Sequence, residues 1–226
     1  IVITLKINGD AEENRQLLYL FFRTKEPCTF YFKNKNRDVS IEGYVETVEV
    51  GLFSNAQTMQ ISIICPYPYF RSLREIVSNI SNTLGLFTFP FFINLDEPIP
   101  FSDYEANRVS NVYNSSQSET GALIQIDVLD AVSKIEVRNT TNGQGILITY
   151  NFVAEDMVTI NTNFGEKGVI LTRGGVESNL FAYVDRDSRF PQLEAGSNLF
   201  SFLVDDGANN DLVRIKVRHY NAYRGV

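Results

Sequence analysis

Near its C-terminus the chain alternates apolar and polar side chains by twos, and no other feature constrains its fold as tightly. In Asn198–Val204, Phe200, Phe202 and Val204 fall on one face. In a second segment Val213, Ile215 and Val217 share a face, while Arg214, Lys216 and Arg218 take the other. A period of two marks a strand buried on one side. Between the segments, Asp205-Asp206-Gly207-Ala208-Asn209-Asn210-Asp211 supplies residues that tolerate tight turns and positive φ. The expectation is a hairpin that ends a β-sandwich. Upstream the same alternation recurs, giving eight strand candidates in all: 122–128, 133–138, 145–150, 157–162, 167–172, 179–184, 198–204 and 212–220. Turn residues separate them, as at Asn142-Gly143, Asn163-Phe164-Gly165 and Arg173-Gly174-Gly175. Such spacing predicts a sandwich or jelly roll.

The first seventy residues read differently. Ile1, Ile3, Leu5 and Ile7 alternate against Val2, Thr4 and Lys6, and Asn8-Gly9-Asp10 breaks the strand. Asp10 is placed to cap a helix and Glu13 to complete a capping box, with acidic residues where the helix dipole favours them. Leu17, Leu20 and Phe21 share one helical face, Leu18 and Phe22 lie beside it, and the helix should stop before Pro27. Strands follow at Thr29–Lys33, Val39–Val50 and Gln57–Cys65, the first two joined by a turn at Asn34-Lys35-Asn36-Arg37-Asp38. Val39–Val50 is long enough to protrude from a small sheet, and a protruding strand needs a neighbour. Pro66, Pro68 and the Ser/Asn-rich run Ser72–Asn82 mark a boundary; Leu73, Ile76, Val77 and Ile80 predict a short helix over Arg71–Asn82. The aromatic, proline-bearing stretch Leu86–Pro100 reads as a connector. The fold class is therefore mainly β: a small α+β N-terminal sheet domain over 1–70, a connector over 71–100, and a β-sandwich over 101–226. The chain opens inside a strand without Met, so the first domain is expected to be incomplete.

Composition excludes several functions. The 226 residues are 44% apolar, enough for a packed core. A net charge of −7 argues against sequence-specific nucleic-acid binding, which needs clustered Lys and Arg. Lys33, Lys35 and Arg37 are interrupted by asparagines and read as a solvated turn. No apolar run approaches the roughly 18–20 residues of a membrane helix, so no membrane partner is expected. Cys28 and Cys65 are the two cysteines. They could be cross-sheet neighbours able to form a disulfide; two buried free thiols in a reducing cytoplasm are the expectation.

No reactive constellation stands out, and we expect no catalytic, cofactor-binding or metal site. His219 is the single histidine, so a multi-His metal site is excluded, and no Gly-x-Ser-x-Gly elbow accompanies it. It reads as a satisfied or solvent-facing strand residue. Asp205–Asp211 is rich in oxygen ligands but lacks EF-hand spacing; it reads as a turn, as does Asp185-Arg186-Asp187. Asp127, Asp130, Glu155 and Asp156 read as strand-end solvation, since a hydrolase carboxylate pair meets only in space. Gly143-Gln144-Gly145 lacks the Lys-Ser/Thr of a phosphate loop and reads as a turn. Tyr104, Tyr113, Tyr150 and Tyr183 could stack on a sugar ring in a chain without Trp, or could be core or interface residues. The sequons Asn79-Ile80-Ser81 and Asn114-Ser115-Ser116 carry no weight in a bacterial host.

Two stretches resemble a known family. Leu193-x-x-Gly196-x-Asn198, the aromatic strand with Phe200, the alternation of Val213, Ile215 and Val217, and the closing Tyr223-x-Gly225-Val226 are similar to the C-terminus of siphophage distal tail proteins. Ala195 departs from the pattern, where a proline is expected. Within FYFKNKNRDVSIEGYVETVEV, Gly43 and Val45 resemble the family's long Gly-x-Val strand, and Cys65–Phe70 resembles its exit from the N-terminal domain. The resemblance implies a galectin-like sandwich and a non-enzymatic hub of the phage or prophage tail tip or baseplate, a virion protein made in the bacterial host cytoplasm. Its implied partners are five further copies of itself in a hexameric ring, the tail-tube protein, a tail-tip or tail-associated lysin protein, and receptor-binding proteins. An acidic charge would suit a DNA conduit. The alternative is a carbohydrate-binding module that recognises a cell-surface saccharide.

Overall fold

The strands form where the alternation places them, and the sheets they join decide the architecture. In the computed structural model, which describes residues 1–51, 57–80, 82–85, 102–105 and 109–225, the chain divides into two compact units. One spans Ile1–Leu73 and the last residues from Tyr223; the other spans Arg74–Ala222. The elements of the first are β1 (Val2–Lys6), α1 (Ala11–Phe21), β2 (Pro27–Lys33), β3 (Asp38–Val50), β4 (Thr58–Ile64) and β5 (Phe70–Ser72). Then come β6 (Ile76–Asn79), β7 (Asn82–Gly85), β8 (Ser102–Glu105), β9 (Val109–Asn114), β10 (Leu123–Val128), β11 (Val132–Asn139), β12 (Gln144–Phe152) and β13 (Met157–Asn161). The list closes with β14 (Gly168–Arg173), β15 (Val176–Asn179), β16 (Gly196–Val204), β17 (Val213–His219) and β18 (Ala222–Tyr223).

In the first unit the sheet runs β1-β4-β3-β5-β18, with β2 paired to β3. Asp10 caps α1, its carboxylate accepting from the backbone N–H groups of Glu12 and Glu13. Asn34 shapes the β2–β3 turn by accepting from the N–H groups of Asn36 and Arg37. The inward residues Val39, Ile41 and Val45 of β3 and Met59, Ile61 and Ile63 of β4 make the unit's buried apolar positions.

The second unit is an antiparallel sandwich. One sheet runs β15-β14-β13-β10-β17-β6 and the other β12-β11-β16-β9. Ile124, Ile126, Val158, Ile160, Ile215 and Val217 on the first sheet share one core with Ile135, Val137, Ile146, Ile148, Phe200 and Phe202 on the second. Facing sheets with dry inner sides and wet outer sides are the usual solution for strands of this pattern. One flank is closed by residues 180–192. Leu180 donates its N–H to Val169, and Asp185 and Arg189 donate theirs to Leu147 and Gly145, so this strap hydrogen-bonds to a strand of each sheet. On the other flank the Ser110 hydroxyl donates to the Ile80 carbonyl at 2.8 Å.

Four expectations are corrected. The segments 198–204 and 212–220 are not hairpin partners: β16 pairs with β11 and β9, and β17 with β10 and β6, on opposite sheets. Two strands that face each other across a core bury the same pattern as two that pair side by side. The predicted helix over 71–82 is strand, β5 and β6, because β-branched Ile76 and Val77 suit the ladder on which β6 pairs with β17. The candidate at 179–184 is a 3-10 turn, Phe181–Tyr183, and the strand lies earlier, at β15. Finally, β9 was absent from the strand candidates. The aromatic connector falls on 86–100, outside the described residues.

The crossing between sheets is fixed by Asp205, which has a left-handed φ of 46°. Its carboxylate accepts from the Ser133 N–H at 3.0 Å, the Ser133 hydroxyl at 2.8 Å, the Lys134 N–H at 2.9 Å and the Asn209 amide at 2.7 Å. Asp206 makes one exposed ion pair with Lys134. Asp205→Ala should therefore destabilise the sandwich by about 1–3 kcal/mol, because it strands several donors at once, whereas Asp206→Ala should leave urea unfolding nearly unchanged. Equal effects of the two variants would refute the assignment.

Candidate functional site

The residues that could react are each held in a local structural role. Asp127 accepts from Gln125 at 2.8 Å and lies 3.4 Å from the Lys216 ammonium. Asp130 accepts from the Ala131 N–H, and Glu155 occupies a left-handed turn position with φ of 69°. The buried Asp156 takes a two-pronged contact from Arg173, 2.7 Å from Nε and 2.6 Å from Nη2, and the N–H of Val153. The Arg173 hydrogen bonds hold the Asp156 carboxyl below its ordinary range although burial opposes them. These carboxylates serve separate turns and ladders, so the geometry brings together no acid/base pair from them. Asp205–Asp211 is the crossing turn described above. Asp185 closes an Asx turn on the Asp187 N–H, and Gly143 has φ of 73° in the β11–β12 turn. Among the described residues no cluster of three or more His, Cys, Asp or Glu could hold a metal ion.

Among the described residues, Tyr113, Tyr150 and Tyr183 do not build a platform. Tyr113 is exposed on β9 and Tyr150 lies on β12, at the two opposite edges of the four-stranded sheet. Tyr150 and Tyr183 meet edge-on, centroids 4.7 Å apart and planes at 73°, and Arg173 lies over Tyr150. A sugar face stacks on a flat ring, and here one ring's edge covers the other. The Tyr104 side chain is outside the described residues, as is Ser81 of the first sequon. Asn114 of the second is buried and committed to four hydrogen bonds.

That asparagine belongs to a buried amide network which explains the Leu-x-x-Gly-x-Asn pattern. Leu193 is fully buried and exchanges both backbone hydrogen bonds with Thr120. Gly196 has φ of 96°, a conformation that side-chain-bearing residues rarely adopt. Asn198 then folds back: its Oδ1 accepts from the Glu194 N–H at 2.9 Å and the Asn139 amide at 3.0 Å, and its Nδ2 donates to the Glu194 carbonyl at 2.8 Å. Asn139 also donates to the Gln192 carbonyl at 2.8 Å, and Asn114 to Leu193 and Glu194. Three carboxamides thus satisfy the backbone between the Leu193–Thr120 bridge and the start of the β16 ladder.

His219 differs from its expected reading. It is not solvent-facing: it is 2% exposed, and its ring makes no well-aligned hydrogen bond, only a weak one to the Tyr113 carbonyl. Burial lowers its pKa, against weaker opposing effects of that carbonyl and of Glu75. The signal was in the sequence, because extending the alternation of Val213, Ile215 and Val217 by two residues points His219 inward.

The uncovered surface lies in the first unit. No residue of α1 is buried. Leu18 and Phe22 pack partly on the sheet, while Leu17, Leu20 and Phe21 stand out, the last at 80% exposure. Tyr31 on β2 is 71% exposed and Val2 on β1 61%. Among the described residues each of these two strands has one strand partner, β4 for β1 and β3 for β2. Unpaired strand edges beside exposed apolar rings and chains mark an interaction surface.

Comparison with known proteins gives the class. Residues 115–220 match the family described as siphovirus-type tail component, C-terminal domain. This part of the sandwich is thus similar to the C-terminal domain of structural components of siphovirus-type phage tails. Its fold over 97% of the chain is shared with SPP1 Dit, described as a paradigm of the hub adsorption apparatus of phages infecting Gram-positive bacteria. The TM-score is 0.66 at 10% identity, with 77% of that protein covered. The phage P2 baseplate in its activated conformation with Ca is also similar, with a TM-score of 0.48, 14% identity, and coverage of 97% of this chain and 79% of that one. No curated protein sequence matches the chain.

Two measurements check the site. Asn198→Ala should cost about 1–3 kcal/mol, since it orphans the Glu194 N–H and one Asn139 amide hydrogen and leaves the Glu194 carbonyl to Asn114 alone; a cost under about 0.5 kcal/mol would refute the lock. For His219 the folded pKa lies below the unfolded value of about 6.5. Its contribution is therefore intact above about pH 6.5 and is lost as pH falls below it, by up to about 1.4 kcal/mol per pH unit until the folded pKa is reached. Urea unfolding at about pH 7.5 and 5.5 should show that loss in the native protein and not in His219→Leu; parallel pH profiles would contradict it.

Proposed function

We propose that this chain is the distal hub of a phage or prophage tail tip. The first unit assembles six copies into a ring, and the sandwich, of galectin-like type, offers a surface for neighbouring tail proteins. The observation that carries this reading is the tail-component match across the sandwich. The first unit supplies the means: a helix without a buried residue, an exposed Leu17–Leu20–Phe21 stripe and free strand edges. A surface repeated on identical copies closes into a ring when each contact turns by a fixed angle. The tail-tube protein on one side and the tail-tip or lysin protein on the other are the partners this role requires, with receptor-binding proteins at the rim. Synthesis in the host cytoplasm precedes assembly into the virion tail. The task needs repeated interfaces and no catalysis.

Electron microscopy and native mass spectrometry of the whole chain should show sixfold rings. Leu17→Ser, Leu20→Ser and Phe21→Ser combined should move assembly to concentrations at least about tenfold higher, since burying one such side chain is worth about 1.5–3 kcal/mol. The sandwich should unfold as before. A monomer at every concentration, or rings indifferent to the triple substitution, would overturn the reading.

A further inference from the structure

Two thiols converge on one glycine. In the β2–β3 ladder Cys28 lies directly across from Gly43, and its Sγ donates to the Gly43 carbonyl at 3.5 Å. On the other side of β3, Ile64 pairs with Tyr44 and β4 ends. The chain then bends over the inner face of Gly43: the Ile64 carbonyl oxygen lies 2.6 Å, and the Cys65 Sγ 3.0 Å, from the point a Gly43 Cβ would occupy. The missing side chain makes a notch that the Ile64 carbonyl and the Cys65 sulfur fill, while the Cys28 sulfur sits against the carbonyl of the same glycine. Both cysteines are free and half-buried. Burial, and then the neighbouring Cys65 thiol, push the Cys28 thiol up, as expected for two sulfurs close enough to sense each other.

We propose that the Gly43 notch is a thiol–disulfide latch, open while the protein is made and closed in an oxidising medium by a bond between Cys28 and Cys65. With a small-molecule disulfide such as oxidised glutathione the chemistry balances. The Cys65 thiolate attacks one glutathione sulfur, expelling a glutathione thiolate and leaving a mixed disulfide. The Cys28 thiolate then attacks the Cys65 sulfur and expels the second glutathione. Two protein thiols are oxidised, one glutathione disulfide is reduced to two thiols, and the two protein protons pass through solvent to the leaving thiolates. Cys28 is the resolving partner, because burial disfavours its thiolate in free solution while the notch holds it beside Cys65. The bond ties β2 to the exit of β4 across β3, bracing the sheet whose free edges the ring uses. Its biological sense rests on the proposed tail role, in which a chain assembled inside a reducing cell functions outside it.

The test uses the isolated full chain with stepped ratios of oxidised to reduced glutathione, quenched with a maleimide and read by intact mass. The expected product is a monomer that has lost both thiols and carries no glutathione, at least about tenfold over any doubly glutathionylated form, since the second step is intramolecular. Cys28→Ser should stop at one glutathione on Cys65. The oxidised protein should melt at least ~5 °C higher than the reduced one. Two glutathiones per chain, interchain dimers, or thiols that stay free throughout would overturn the latch. Because the assay reads single chains, ring assembly without the bond sinks the latch alone, and the bond in a chain that never assembles sinks the ring reading alone.

Discussion

Two sheets pressed face to face leave the chain segments between them without a ladder, and every backbone group there must find a side chain. This constraint governs the second unit. Asn114, Asn139 and Asn198 satisfy the Leu193–Gly196 loop. Asp205 receives the start of β11, and Asn210 accepts from the Val204 N–H at 2.8 Å where β16 ends. All of these lie where a strand ends or the chain changes sheets. The Asn- and Asp-rich stretches that could pass for ligand loops are instead the hydrogen-bonding complement of the crossings. A metal or a sugar would have to displace bonds on which the fold depends.

The faces of the strands were legible in the sequence, and their partners were not. Phe200, Phe202 and Val204, and Val213, Ile215 and Val217, lie inward as the alternation requires. Whether such neighbours pair or face each other depends on the crossing between them, and a turn-rich loop serves either geometry. Strand β9 was hidden because Val112 is its one fully buried apolar residue and Asn114 takes the next inward position. Leu73, Ile76, Val77 and Ile80 fit a helix and a short edge strand equally well, so the ladder decided. His219 shows the reverse failure. The pattern predicted its burial, but the habit of keeping histidine wet or hydrogen-bonded prevailed over the pattern.

The family resemblance rests on the same structural residues. Leu193 is core, Gly196 supplies a left-handed turn, and Asn198 locks it. Ala195, where a proline is expected, stands exposed inside a loop that the Asn198 carboxamide already fixes from both sides, so pre-setting that backbone is unnecessary. A pattern of this sort identifies a domain by how it closes, while its binding surfaces are free to diverge. This is consistent with a shared fold at 10% identity.

The two units have settled their apolar surface differently. The sandwich has its crossings satisfied, its inner faces filled and one flank strapped. The first unit keeps a helix with no buried residue and an apolar stripe turned outward. A helix of that length has little stability of its own and depends on what its apolar faces cover. One face of α1 covers the sheet through Leu18 and Phe22; the stripe of Leu17, Leu20 and Phe21 stays exposed. Such a surface is costly in a free monomer and favourable in an assembly, and a strand edge beside it gives the assembly a direction. In the proposed ring, assembly would cover the stripe that the described residues leave exposed.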